Sequence, residues 1–410
     1  MVPVSWEVTI NVGSEVAGRT YQSETLRARD AFTGRTVEID HAGGIIAAIR
    51  QADHGQEREA LPPWLGPGLV DLQINGAHGH DFNEASLDTD TVSALAPLLA
   101  QHGITAYFPT LVTTSDKVLL GALNVLARSC QEAGTSGLVA GIHLEGPFIS
   151  PETGPRGAHD ATFVGPPDWD RLQAWQNAAR GMIRIITLSP EWPGSTEFIE
   201  RCVESQILVS IGHTAATPEQ IRDAVAAGAR MSTHLGNGMH IHIRRHPNYL
   251  WEQLADDQLA ATVIADGFHL PLSVLSVILR AKGERALLIS DAVSLSGLPA
   301  GAYDRHIGGR VVLTDSGRLH LADQPDLLAG SVAMLPACIA HLTRHHLTTL
   351  GGAWRMASTG PAATVDLPVA QGLTVGAPAD MVLFDWDGTR ITVLTTIKAG
   401  QVSYRTAGMR

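Results

Sequence analysis

From about residue 68 onward, apolar runs of four to nine residues alternate with Ala- and Leu-rich stretches of helical periodicity. The runs are "GLVDLQI" (68–74), "ITAYFPTL" (104–111), "GLVAGIHLE" (137–145), "IRIITLSP" (183–190), "ILVSIGH" (207–213), "ARMSTHL" (229–235), "AATVIAD" (260–266) and "ALLISDA" (286–292). Runs that are almost continuously apolar suit strands buried on both faces, which is the pattern of a parallel sheet covered by helices. Eight of them, separated by segments such as "DTDTVSALAPLLAQHG" and "PEQIRDAVAAGA", predict a (β/α)8 TIM-like barrel rather than an open doubly wound sheet. The ends of the chain read differently. "WEVTINV", "TLRARDAF" and "RTVEIDHAGGIIAAIR" near the start, and "MVLFDWDGTRITVLTTIKAGQVSYR" near the end, are short alternating segments broken by Gly and charged turns. They predict a small β-sandwich drawn from both termini, with residues 1–66 and 371–410 flanking a barrel over 67–370.

A chain of 410 residues accommodates such a barrel with a companion domain, and 44% hydrophobic residues suffice for its core. The formal net charge of -12 argues against nucleic acid or an anionic membrane as partner, since both select a basic surface. A small anionic substrate needs only one or two local cations. Cys130, Cys202 and Cys338 stand far apart without CxxC spacing, so they read as thiols of a reducing compartment rather than disulfide or metal ligands. The start of the chain shows no basic segment leading into an apolar one, and no uncharged run reaches the length of a membrane span. Cytoplasmic location is the expectation.

In a parallel barrel, chemistry gathers at the C-terminal ends of the strands. There the third run carries His143 and Glu145, the fifth His213, the sixth His234, the seventh Asp266 and the eighth Asp291. One carboxylate and two imidazoles from three strands form a ligand set for Zn2+ or a similar divalent ion, with a position left open for water. Asp291 is then placed to take a proton from that water. Taken singly, each histidine is better explained as a hydrogen-bonded barrel residue; the joint occurrence carries the inference. A different pattern competes for the same role. "PGLVDLQINGAHGHDFNE" ends with a His78-x-His80 pair, but the pair lies beyond Gly76, past the strand. Period-two geometry instead places Gln73 and Asn75 on one strand face. They are expected to line the site indirectly, with His78 and His80 outside the primary ligand set; a second metal there is the lesser reading.

Together, "PGLVDLQINGAHGHDF", "HLEGPFISPETGPRGAHD", "GHTAAT", "THLGNGM", "ADGFHL", "ISDAV", "LAGS" and "GAPADMVLFD" make a specific ordered set. The chain resembles the amidohydrolase superfamily and, within it, the N-acetylglucosamine-6-phosphate deacetylases. The resemblance implies a barrel with a β-sandwich from both termini, one divalent metal ion per subunit (Zn2+ expected, Fe2+, Mn2+ or Co2+ as alternatives) and a homodimer. It places the metal ligands on Glu145, His213 and His234, and the catalytic aspartate on Asp291. His159 would polarise the acetamido carbonyl; Asn237, Gly238 and His269 would contact substrate; Arg245 would bind phosphate, reaching into a neighbouring subunit. Members often carry His-x-His on the first strand, where this chain has Gln73 and Asn75, as in the single-metal subgroup. The loop "GMHIHIRRHPNYLWEQ" and the stretch "SLSGLP" also depart from the usual pattern, which bears on the phosphate. The implied activity is hydrolysis of the N-acetyl amide of an amino sugar, with N-acetylglucosamine 6-phosphate first. An unphosphorylated N-acetyl sugar, an N-acyl amino acid or a cyclic amide is the alternative, and a non-catalytic binding protein the remote one.

Overall fold

Leu69–Ile74, Ile104–Val112, Ile142–Glu145, Ile183–Leu188, Leu208–Ile211, Met231–Ser232, Ala260–Val263 and Ala286–Leu288 line up in that order as one sheet. This is seen in a computed structural model that describes residues 9–16, 19–52, 61–130, 137–305 and 309–407. Neighbouring strands from Ile104–Val112 to Ala286–Leu288 run parallel. A parallel bridge between Ile74 and Ala292, with Asp291 N–H donating to Gln73 O at 2.9 Å, joins the last strand to the first. The expected eight-stranded barrel is therefore present. Each strand is followed by a helix, beginning with Thr89–Ala100 and ending with Leu335–Arg344. Local sequence starts these helices where the polar signals stand. Thr217 and Gln220 cap Pro218–Ala226 reciprocally, with Pro218 at the first helical position.

Cα proximity divides the chain into two units, Met1–Val70 with Pro97–Ala106 and Leu335–Arg410, and Asp71–Ala96 with Tyr107–Met334. In the first unit, both chain ends contribute to a second sheet. Its order is Gln401–Arg405, Ile391–Lys398, Met381–Trp386, Trp64–Pro67, Arg19–Asp30, Thr36–Ala42, Ile45–Gln51, with Thr9–Val16 also on Arg19–Asp30. Every pairing in it is antiparallel except Arg19–Asp30 with Trp64–Pro67. Leu26, Ile39, Ile46, Leu65, Met381 and Ile397 form its core. Nearby, Trp354 stacks on Phe384 at 4.1 Å and donates its indole N–H to Pro67 O at 2.9 Å. Glycine is required at 66, because a Cβ there would lie 2.2 Å from the Trp354 ring nitrogen.

The second unit holds an element that periodicity did not predict. Gly301–Arg305, Gly309–Leu313 and Leu319–Leu321 make a three-stranded antiparallel sheet after the eighth barrel strand. Val293, Leu295, Val311, Leu313 and Leu319 give it a small core of its own.

Candidate metal centre and active site

Three ligand atoms converge at the ends of the third, fifth and sixth barrel strands. Glu145 Oε1 lies 3.0 Å from His213 Nε2 and 2.9 Å from His234 Nε2, and the two nitrogens are 3.1 Å apart. All three residues are buried, and among the described residues they form the one group of three or more His, Cys, Asp or Glu with metal-ligand spacing. The backbone turns sharply to deliver them. His213 and His234 have φ of 49° and 29°, and Asp291 has φ of 46°, a left-handed region that costs a non-glycine residue about 1–3 kcal/mol.

The protonation pattern tests whether a cation belongs there. His213 Nδ1 faces Pro155 O at 2.8 Å, and a carbonyl only accepts, so the proton of a neutral ring sits on Nδ1. His213 Nε2 then presents a lone pair to a carboxylate oxygen, an arrangement that is repulsive unless a cation lies between them. Ligand atoms bonded at 2.0–2.1 Å in a tetrahedron sit about 3.3 Å apart, close to the spacing found. The donor set of two imidazoles and one carboxylate suits a divalent ion of borderline softness. Burial raises the Glu145 carboxyl, and positive charge at His213 and His234 outweighs it and holds the group well below its usual value; with neutral rings, that charge is what a bound cation supplies.

Strand one bears directly on these ligands. Gln73 Nε2 donates to Glu145 Oε1 at 2.9 Å and to Asp291 Oδ1 at 3.2 Å, and Asn75 Nδ2 donates to Asp291 Oδ1 at 2.8 Å. Burial and the Glu145 charge push the Asp291 carboxyl up to about 7. With Oδ1 engaged, Oδ2 is the oxygen available to a reacting group. His143 points elsewhere: its Nδ1 donates to Leu72 O at 3.0 Å and its Nε2 meets Thr187 Oγ1 at 2.7 Å, inside the barrel wall. His78 sits in the turn between Gly76–Ala77 and His80–Asp81, His80 pairs with Ala77, and neither histidine lines the cavity.

Glu145, His213, His234 and Asp291 open into a cavity of about 520 Å³, whose wall includes His159, Asn237, Gly238 and His269. His159 Nδ1 lies 2.8 Å from Thr113 Oγ1, and its ring meets that of His213 edge-on at 4.5 Å. Desolvation and His213 hold it below the usual imidazole value, so it is neutral near pH 7. Gly238 has φ of 56°, and a Cβ there would come within 2.8 Å of the His213 ring; the glycine keeps the ligand's position. His269 Nδ1 lies 2.8 Å from Asp266 Oδ2, which fixes the ring. Sequence reasoning missed Asp266 and Thr113 as orienting residues. For Asp266 a signal existed, since Asp-x-x-His lets one carboxylate accept the N–H groups of Phe268 and His269 and also hold the ring. Arg245 is exposed and outside the cavity wall. Asn248, in the same unusual loop, caps Tyr249–Ala255 by accepting from Leu250 and Trp251 N–H at 3.1 Å.

Residues 64–403 match the model of the amidohydrolase family. The chain belongs to the amidohydrolase family. Within that metal-dependent family, it is 31% identical to an N-acetylglucosamine-6-phosphate deacetylase of Lysinibacillus sphaericus over 91% of this chain and 95% of the relative. It is 30% identical to an N-acetylgalactosamine-6-phosphate deacetylase of Escherichia coli O157:H7, over 88% and 95% of the two chains. Among solved structures, it is similar to a mutant N-acetyl-D-glucosamine-6-phosphate deacetylase of Mycobacterium smegmatis in complex with N-acetyl-D-glucosamine-6-phosphate. That match has a TM-score of 0.80 and 30% identity, covering 91% of this chain and 95% of the other. No described helix of this amidohydrolase is long and apolar enough to cross a membrane.

Proposed function

We propose that this amidohydrolase removes the acetyl group of N-acetylglucosamine 6-phosphate, hydrolysing its amide C–N bond to the amine and acetate. The observation that carries the reading is the Glu145–His213–His234 cluster opening into one cavity with Asp291. Its relatives supply the substrate class. Glu145, His213 and His234 would hold one divalent ion, with Zn2+ fitting the ligand set best. Once bound, the ion supplies Lewis acidity, drawing the pKa of water at the site towards neutrality and polarising an amide carbonyl. A single ion fits, because the first strand presents Gln73 and Asn75 already hydrogen-bonded to Glu145 and Asp291.

The chain's own groups then carry the protons. Asp291 Oδ2 accepts the proton of the attacking water, while Asn75 and Gln73 fix Oδ1 and so aim the carboxylate. A Thr113 hydroxyl donating to His159 Nδ1 leaves the ring proton on Nε2, where it can donate to the carbonyl oxygen as negative charge develops. Asp291 returns its proton to the leaving nitrogen, which departs as the neutral amine. Asn237, Gly238 and His269 line the wall that would receive the rest of the sugar phosphate. Arg245, exposed and outside the cavity, fits a phosphate contact made across a homodimer interface. The cytoplasm, where sugar phosphates are retained, is the compartment we assign.

Asp291→Asn is expected to lower kcat by about 10³-fold while the bound-metal stoichiometry holds. Deacetylation should be measured with metal-loaded protein on phosphorylated and free N-acetylglucosamine and N-acetylgalactosamine. Equal kcat/KM with and without the phosphate would remove the favoured substrate, and full activity in Asp291→Asn would remove the proton carrier.

A further inference from the structure

Arg305 ends the first strand of the three-stranded sheet. Along that strand Ala302 and Asp304 are exposed, while Arg305 turns inward with its side chain only 7% exposed. Its Nη2 donates to Asp81 Oδ2 at 3.2 Å. Asp81 is itself fully engaged: the same oxygen accepts from Ser294 Oγ at 3.1 Å, and Oδ1 accepts from Asn83 N–H at 2.9 Å. The guanidinium is not. Its Nε and Nη1 have no hydrogen-bond partner among the described residues, although both Arg305 and Asp81 line the cavity that contains Asp291. Arg305 is also the one arginine or lysine among the described residues of that wall.

A buried ion pair contributes little to stability by itself, because desolvation cancels most of its attraction. An arginine placed only to hold the hairpin would have its remaining donors paired or in bulk water. Here the residue lines a ligand cavity. The compensating carboxylate decides what those donors suit. With Asp81 balancing its charge, Arg305 offers directional donors and little net positive potential, which matches an uncharged oxygen better than a phosphate dianion. The location agrees. Arg305 and Asp81 come from segments after the eighth and first barrel strands, whereas Asn237, Gly238 and His269 follow the sixth and seventh.

We propose that Arg305, held in place by Asp81, is a specificity residue that donates to a ring hydroxyl oxygen of the amino sugar. The proposal rests on the deacetylase reading above. A site built to hydrogen-bond a hydroxyl discriminates strongly against the analogue that lacks it, so the contact can be located from the substrate side.

The experiment measures kcat and KM of the metal-loaded wild type, Arg305→Met and Arg305→Lys. The substrates are N-acetylglucosamine 6-phosphate, its 1-deoxy, 3-deoxy and 4-deoxy analogues, and the unphosphorylated sugar. Arg305→Met should lower kcat/KM by about 10–100-fold, the range for a hydrogen bond to a charged group, mainly through KM. One deoxy analogue should cost the wild type a similar factor but cost Arg305→Met less than about 3-fold. The ratio of phosphorylated to free sugar should stay at its wild-type value. Arg305→Lys keeps the charge beside Asp81 but loses the planar fork; it should recover part of the loss, and it carries the comparison if the methionine variant does not fold. If every deoxy analogue costs the variants what it costs the wild type, Arg305 only holds the hairpin and the proposal is overturned. If the variants lose their preference for the phosphorylated sugar, Arg305 reads the phosphate and the proposal is equally overturned. A wild type that hydrolyses none of these sugars fails on a different arm, and overturns the deacetylase reading itself.

Discussion

In the sheet built from the chain ends, Leu26, Ile39, Ile46, Leu65, Met381 and Ile397 are buried side by side with no polar atom to satisfy. At the ends of the barrel strands, Glu145, His213 and His234 are buried almost as completely, yet each carries groups that water would have solvated. The first arrangement gains stability from every apolar area removed from water. The second loses it twice, through desolvation and through left-handed backbone at His213, His234 and Asp291. Two buried regions of one chain thus have opposite energetic signs. The cost at the strand ends is the physical mark of a site, since a group that destabilises the fold is retained for what it binds or moves.

The comparison can be broken by a single substitution on either side. Glu145→Gln removes the anionic ligand while keeping its shape. Metal affinity should fall by more than the roughly 100-fold typical of losing an outer hydrogen-bond partner, and turnover should fall with it. The unfolding midpoint of the metal-free protein should hold or rise. Metal analysis beside denaturant unfolding reads both, and a variant that keeps its metal would remove Glu145 from the ligand set. Ile39→Ala should do the reverse. Deleting a fully buried branched side chain costs about 2–5 kcal/mol, seen in denaturant unfolding, while kcat per folded, metal-loaded molecule stays at the wild-type value. An Ile39 variant with intact stability and impaired turnover would erase the contrast.

How far the sequence revealed these regions follows from the range of the contacts involved. The eight barrel strands were legible because strands buried on both faces read as continuous apolar runs, and the strand-end polar residues stood out against them. The three-stranded sheet carrying Arg305 was not legible. Its strands are short and half exposed, and charges interrupt them, so neither period dominates. Gln73 was placed on the correct face by alternation, but its bonds reach Glu145 and Asp291, 72 and 218 residues away, and alternation cannot name such partners. The Thr113–His159 pair, 46 residues apart, was hidden for the same reason. Asp266 was the avoidable omission, because its partner His269 is three residues on.

The smallest expected effect concerns a buried carboxylate that the proposed chemistry does not use. Asp71 precedes Gln73 and Asn75 on the same face of the first strand. Its Oδ1 accepts from Ser290 N–H at 3.2 Å and Gln73 N–H at 3.3 Å, while Oδ2 is buried without a partner. Complete burial pushes its carboxyl up to about 6 from the ordinary 3.8, against the pull of these hydrogen bonds. The native state therefore holds the Asp71 proton more tightly than the unfolded chain does. Its contribution is fully present below about pH 4 and is lost as pH rises through about 6, by at most about 3 kcal/mol. Asp71→Asn keeps the shape and removes the titration. The stability of the variant relative to the wild type should therefore climb between about pH 4 and 6 and level off above. Denaturant unfolding of both metal-free proteins across that range measures it. A difference that stays flat would mean that Asp71 is charged in the native state throughout, with its second oxygen satisfied by water.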